Sequence, residues 1–140
     1  MFKRVSGKPR LSYWPKKAST AFTYGALVYP DGSGAIQPAD STSGEHIGVI
    51  MQTIASTDSD YASTTKVAVD ECGEDDIFEA DVTGTLTTAM VGTYLDLSTS
   101  LVVNAAATSK KVVLCVGFIS ASKGLFKITA KLADHYVATS

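Results

Sequence analysis

The chain has 140 residues, 45% of them hydrophobic and 19% charged, with a net charge of −2. That length fits one compact domain, or a core domain with an appended arm. No apolar run approaches the roughly 20 residues that a membrane-crossing helix needs, and the opening MFKRVSGKPRLSYWPKK has no apolar stretch behind its positive charge, so a membrane anchor and a secretory signal are not expected. The expectation is a protein made and kept in a cytoplasm. Cys72 and Cys115 form no CxxC pair and no cluster with histidine, so zinc is not expected and both thiols should be free.

The first 17 residues hold Lys3, Arg4, Lys8, Arg10, Lys16 and Lys17 and no acid, a charge of +6. The rest of the chain carries six bases against fourteen acids, a balance of −8. This split, with Pro9 and Pro15 and no sustained helical or strand period, predicts an extended basic arm over 1–17 ahead of a β domain over 18–140. Arg10, Tyr13 and Trp14 are of the side-chain types favoured at interface hot spots, and with Lys3, Arg4 and Lys8 they form the expected partner-binding set.

From Thr20 onward, short β-type runs alternate with Gly, Ser, Thr, Asp and Asn clusters. Strands are predicted at Ala21–Tyr29, Ala35–Gln37, His46–Ile54, Thr65–Asp70, Ile77–Val82, Gly92–Leu97, Leu101–Asn104, Lys111–Ser120 and Leu125–Leu132. Phe78, Ala80 and Val82 alternate with Glu79 and Asp81, and Phe126, Ile128, Ala130 and Leu132 with Lys127, Thr129 and Lys131, which predicts one buried and one wet face. Lys111–Ser120 is apolar on both faces and is predicted to be a covered central strand. The expected class is all-β, a small barrel or a sandwich.

The two halves also echo each other. Gly25-Ala-Leu-Val-Tyr, a turn, Ala35-Ile-Gln, Ile47-Gly48-Val-Ile and Lys66-Val-Ala-Val in the first half answer to Gly92-Thr-Tyr-Leu-Asp-Leu, a turn, Leu101-Val-Val, Val116-Gly117-Phe-Ile and Phe126-Lys-Ile-Thr in the second. Glycine inside a strand commonly marks a bulge or a close backbone approach. This pattern resembles the β-rich capsid decoration (cement) proteins of tailed phages. It is carried by Gly25-Ala-Leu-Val-Tyr-Pro-Asp-Gly, Ile36-Gln-Pro-Ala and His46-Ile-Gly-Val-Ile, and again by Val91-Gly-Thr-Tyr-Leu-Asp-Leu and Val116-Gly-Phe-Ile; the long loop Ala55–Thr64 departs from it. The resemblance implies a homotrimer on the outside of a virion, assembled in the host cytoplasm, that bridges major capsid protein subunits and has neither enzymatic activity nor cofactor.

Other chemistry finds little support. The basic arm invites nucleic acid, but the acidic body and a sequence pI near 5.6 oppose it. Glu71, Glu74, Asp75 and Asp76 lack the spacing of a calcium loop and, like Asp58 and Asp60, read as solvated turns. His46 and His135 have no G-x-S-x-G elbow near them, and neither a P-loop nor a G-x-G-x-x-G occurs. The alternatives left open are another virion or tail structural module or an adhesin-like β module, and a small trimeric β-enzyme. The second is disfavoured because no arginine lies beyond Thr20.

Overall fold

The computed structural model describes residues 1–132, so His135 lies outside the described residues. Eleven strands follow in chain order: β1 (Lys3–Ser6), β2 (Leu11–Pro15), β3 (Leu27–Pro30), β4 (Ile36–Pro38), β5 (Gly48–Ile50), β6 (Lys66–Glu71), β7 (Ile77–Thr83), β8 (Tyr94–Thr99), β9 (Val102–Asn104), β10 (Val113–Ser120) and β11 (Lys123–Ile128). The all-β class holds, and the helical content among the described residues is one 3-10 turn at Thr88–Met90.

The strands form two sheets. One runs β1-β7-β11-β10-β8-β9, and a parallel pairing of β9 with β7 closes its last five strands into a barrel, leaving β1 as an extra strand. The other runs β2-β6-β5-β3-β4. Its outer strands meet at a parallel bridge between Lys16 and Ile36. Strand for strand the two orders are the same: β2, β3, β4, β5 and β6 occupy the places of β7, β8, β9, β10 and β11. Backbone bonds match as well, since Lys16 N–H donates to Thr65 O (3.1 Å) where Val82 N–H donates to Ser122 O (2.8 Å).

The repeat is therefore structural, but its unit has five strands rather than four. The strand absent from the sequence pattern is β2, inside the segment expected to be an arm. The two mid-strand glycines also sit at different heights. The ladders pair Val28 with Gly48 and Leu95 with Val113, so Gly117 lies four residues further along the longer β10. Gly48 meets the β6 backbone at Asp70, and Gly117 follows a register shift in the β10–β11 ladder; these are the close approach and the bulge that mid-strand glycine predicts.

Residues 1–17 are thus not an arm. β1 pairs antiparallel with β7, Lys3 opposite Glu79, and β2 pairs along its whole length with β6. Ser12, Trp14 and Lys16 point inward and are buried, while Leu11 and Tyr13 point outward. This is clean period-two alternation, but two of the three buried positions are polar, so a hydrophobicity reading passes over it. Each polar group is satisfied internally. Trp14 Nε1 donates to Ser12 Oγ (3.0 Å), and Lys16 Nζ donates to the carbonyls of Tyr61 and Ser63 (2.7 Å each), which ties the long 55–64 loop to the end of β2.

Each barrel has its own core. Trp14, Phe22, Val28, Ile36, Ile50, Ile54, Val67 and Val69 belong to one cluster. Phe78, Ala80, Val82, Leu95, Leu97, Val113, Cys115, Phe126 and Ile128 belong to the other, which also takes in Phe2, Leu27, Val49 and Cys72 from the first half and so welds the barrels together. The predicted alternation holds for Phe78, Ala80 and Val82 and for Phe126 and Ile128. Two predicted strands come out much shorter. Ala21–Tyr29 yields only β3, because Gly25 turns the chain at a φ of 89° after Phe22 bridges to Ile54. His46–Ile54 yields β5 flanked by single bridges at His46 and Ile54. β10 is central but covered only over its first half, since Phe118 and Ile119 are exposed where it leaves the barrel.

Candidate interaction surface and the buried polar network

The six residues expected to bind a partner separate into two groups. Lys3, Lys8 and Arg10 are exposed and Tyr13 is half-buried, whereas Arg4 and Trp14 are taken up inside the protein. Arg4 lies between the two barrels. Its Nε and Nη2 donate to both carboxylate oxygens of Asp70 (2.9 and 2.8 Å), its Nη1 lies 2.7 Å from Asp76 Oδ1, and its guanidinium stacks 5.0 Å from the Phe78 ring centroid. Both acids are almost wholly enclosed, with 6% and 3% of their side chains exposed. Arg10 adds a backbone N–H to Asp70 and a longer 3.3 Å contact to Asp76, whose Oδ2 also accepts the Gly73 N–H (2.7 Å). Gly7, at a φ of 92°, packs its backbone directly against the Asp76 carboxylate and leaves no room for a Cβ.

The electrostatics follow from this geometry. The hydrogen bonding to the Asp70 carboxylate comes first in holding the Arg4 guanidinium charged, its pKa raised despite burial. Burial pushes the Asp76 carboxyl up, but the bonds from Arg4 and the Gly73 N–H, with the charges of Arg4 and Arg10, bring it below its ordinary value. At the N-terminus, the Met1 ammonium lies 3.1 Å from Asp81. Two of the six bases in the +6 segment, Arg4 and Arg10, therefore find acidic partners within the same chain. Asp76 is correspondingly not part of a solvated turn, although Glu74 and Asp75 beside it are exposed. No local signal announces Arg4 with Asp70, 66 residues away.

A second polar group joins the barrels at His46. Its Nδ1 lies 2.8 Å from Ala130 O, and its Nε2 lies 2.8 Å from Ser43 Oγ. Read from that network, the neutral ring donates from Nδ1 and turns its Nε2 lone pair to the Ser43 hydroxyl, whose one proton has both Nε2 and the Asp40 carbonyl (2.9 Å) within reach. Burial lowers the pKa of the imidazole, which keeps it neutral. By distance this is the nucleophile–base contact that the sequence did not announce. Yet Ser43 is 4% exposed, and a backbone carbonyl stands where a catalytic carboxylate would orient the ring. The His46 N–H also donates to Ala130 O, and Leu132 N–H donates to His46 O, so the histidine pins the end of the second barrel to the first.

Cys72 and Cys115 are both buried and unbridged. Burial pushes the Cys72 thiol up to about 12, which leaves it protonated and unreactive. No group of three His, Cys, Asp or Glu side chains suited to a metal occurs among the described residues.

Among the described residues, eight large hydrophobic side chains stay exposed. Val91, Tyr94, Phe118 and Ile119 protrude from the second barrel, and Met1, Val5, Leu11 and Tyr24 from the N-terminal strands and the turn beside them. No protein-family model matches the sequence, and no curated protein matches it either.

Proposed function

We propose that this chain is a structural virion protein that binds the outside of a tailed-phage capsid, self-associates as a homotrimer and stabilises the shell by bridging major capsid subunits. The observation that supports this reading best is the duplication. The sequence pattern carrying the resemblance to decoration proteins falls on two barrels of one strand order, fused by β1, the Arg4 network and His46 into a single rigid bracket. A bracket of that kind suits contact with two neighbouring subunits. Its nucleophilic and ionisable interior groups are occupied with holding the barrels together, while large apolar side chains face outward, a division that favours binding over catalysis. Recognition then falls to the outer faces of the barrels, with Lys3, Lys8, Arg10 and Tyr13 as the exposed remainder of the basic segment.

The test is electron microscopy of particles purified with and without the protein. Density on the outer shell surface that is present only with the protein supports the reading. Particles that bind none of it, or that carry it on the tail, refute it.

A further inference from the structure

The outer face of the first barrel is covered along one row of residues and left open along the next. The ladders through β3, β5, β6 and β2 align Leu27, Val49, Asp70 and Leu11 across that face. Leu27 and Val49 join the core of the second barrel, Asp70 is taken by Arg4, and Leu11 emerges at the end of the row, exposed. The next row on the same face holds Met51, Ala68 and Tyr13, because Met51 N–H donates to Ala68 O and Ala68 pairs with Tyr13. These three are half-buried. At the head of the row Met1 lies over Gly25, and Tyr24 N–H donates to Thr53 Oγ1, two residues beyond Met51. Met1, Tyr24, Met51 and Phe78 wall a pocket of about 170 Å³ there, with Lys3 also lining it.

The duplication supplies an internal comparison. Glu79 and Asp81 of β7 occupy the places of Tyr13 and Pro15 in β2, and Lys123 and Leu125 of β11 those of Lys66 and Ala68 in β6, with Asp81 opposite Lys123 as Pro15 is opposite Lys66. In the second barrel these positions are charged and paired: Lys123 lies 3.9 Å from Asp81, and Glu79 stands opposite Lys3. In the first barrel a tyrosine and a proline stand where those acids would be. Lys66 is exposed and makes no ion pair among the described residues. Asp70, the one acid on the outward positions of β2, β5 and β6, is enclosed by Arg4. Single exposed hydrophobics are ordinary, but a contiguous set with aromatic rings and one uncompensated cation marks a contact surface.

We propose that this face, from Leu11 and Tyr13 across Ala68 and Met51 to the Tyr24 pocket, docks a segment of a partner protein in which apolar side chains flank a carboxylate. One apolar side chain of the segment fills the pocket, others lie along Met51, Ala68 and Tyr13, and the carboxylate meets Lys66. Nucleic acid fits the face less well, because Leu11, Met51 and Ala68 offer aliphatic surface and one unpaired lysine gives a phosphate backbone little to hold. The inference deepens the reading above by assigning the face and the chemistry of the partner, and it rests on that reading only for the partner being a shell subunit.

The experiment selects a random peptide library on the immobilised full chain and measures the enriched peptides by fluorescence anisotropy. The proteins compared are the wild type, Leu11→Thr/Tyr13→Thr and Lys66→Glu, with a thermal melt of each; threonine suits a strand, so the melts should match. Enriched peptides should carry Asp or Glu between apolar residues. The double variant should raise their Kd at least about tenfold, and selection on Lys66→Glu should turn to basic peptides. Lys66 is exposed, so that charge preference is read even if the double variant melts early. An absence of enriched peptides overturns the proposal, as do peptides without acids or peptides that bind a folded double variant as tightly as the wild type. Tyr13-dependent binding of a single-stranded oligothymidine in their place gives the face to nucleic acid and also overturns it. The tightest peptide is then added to purified shells together with the wild type. Displacement of the protein makes this face the shell contact. Peptide binding at the face by a protein that binds no shell supports the docking face and refutes the shell reading alone.

Discussion

Replacing Arg4 by Met should destabilise the protein by about 3 kcal/mol, the lower end of the range for removing one partner of a buried ion pair. The lower end applies because the two stranded carboxylates keep part of their support. Asp70 retains the Arg10 N–H at 3.1 Å, and Asp76 retains the Gly73 N–H at 2.7 Å and the Arg10 guanidinium at 3.3 Å. The methionine stem also keeps some packing on Phe78, beneath the present guanidinium. With an unfolding entropy of roughly 2.1 cal/mol/K per residue, a loss of about 3 kcal/mol in a chain of this size lowers Tm by roughly 10 °C. Calorimetry at neutral pH checks the figure. Acid should close the gap. Asp76 has a depressed folded pKa, so its contribution is present above the ordinary carboxylate range and is lost as pH falls from that range down through the folded pKa. The wild type should lose stability on that descent and the Arg4→Met variant should lose less. Adding Asp70→Asn and Asp76→Asn to Arg4→Met should recover part of the loss, because an amide is less costly to bury than an unpaired carboxylate. A fall in Tm of only 1–2 °C for Arg4→Met, which corresponds to well under 1 kcal/mol, would show that the network is solvent-screened and that the weld between the barrels is apolar alone.

Deleting residues 1–17 should abolish the cooperative melt of at least the first barrel, because it removes all of β2 together with Phe2 and Trp14; circular dichroism on heating reads this, and an intact melt would make the segment dispensable. His46 is held neutral, so the unfolded chain binds its proton more readily, and stability should fall as pH drops below about 6.5. His46→Gln should flatten that part of a Tm-versus-pH profile, and an unchanged profile would assign the effect elsewhere. Cys72 and Cys115 should resist alkylation in the native protein and each take one label after unfolding without reductant, as intact mass would show; unfolded protein without labels would reveal a disulfide.

The all-β class, nearly every strand from β3 onward and the duplication are written in local sequence. In Phe78–Val82 and Phe126–Ile128 the buried positions are hydrophobic and the exposed ones polar, so the period of two is visible in one dimension. The turns are visible for the same reason: in the Asp31-Gly-Ser-Gly stretch, the Asp31 carboxylate accepts the Ser33 and Ala35 N–H groups and closes the β3–β4 hairpin from within. What tertiary structure decided is the fate of the N-terminal segment. Ser12 and Lys16 sit inside because Trp14 Nε1 and the carbonyls of Tyr61 and Ser63 satisfy them there, and Arg4 sits inside because Asp70 and Asp76 meet it from 66 and 72 residues away. The cost of burying a polar group depends on its partners, and partners as distant in sequence as those of Lys16 and Arg4 leave no periodic trace. The charge asymmetry was real in the sequence, but whether it served another molecule or the chain's own body depended on where β7 and the loop before it were placed. That placement follows from the closure of the second barrel, which leaves the leading half of β7 free to take β1.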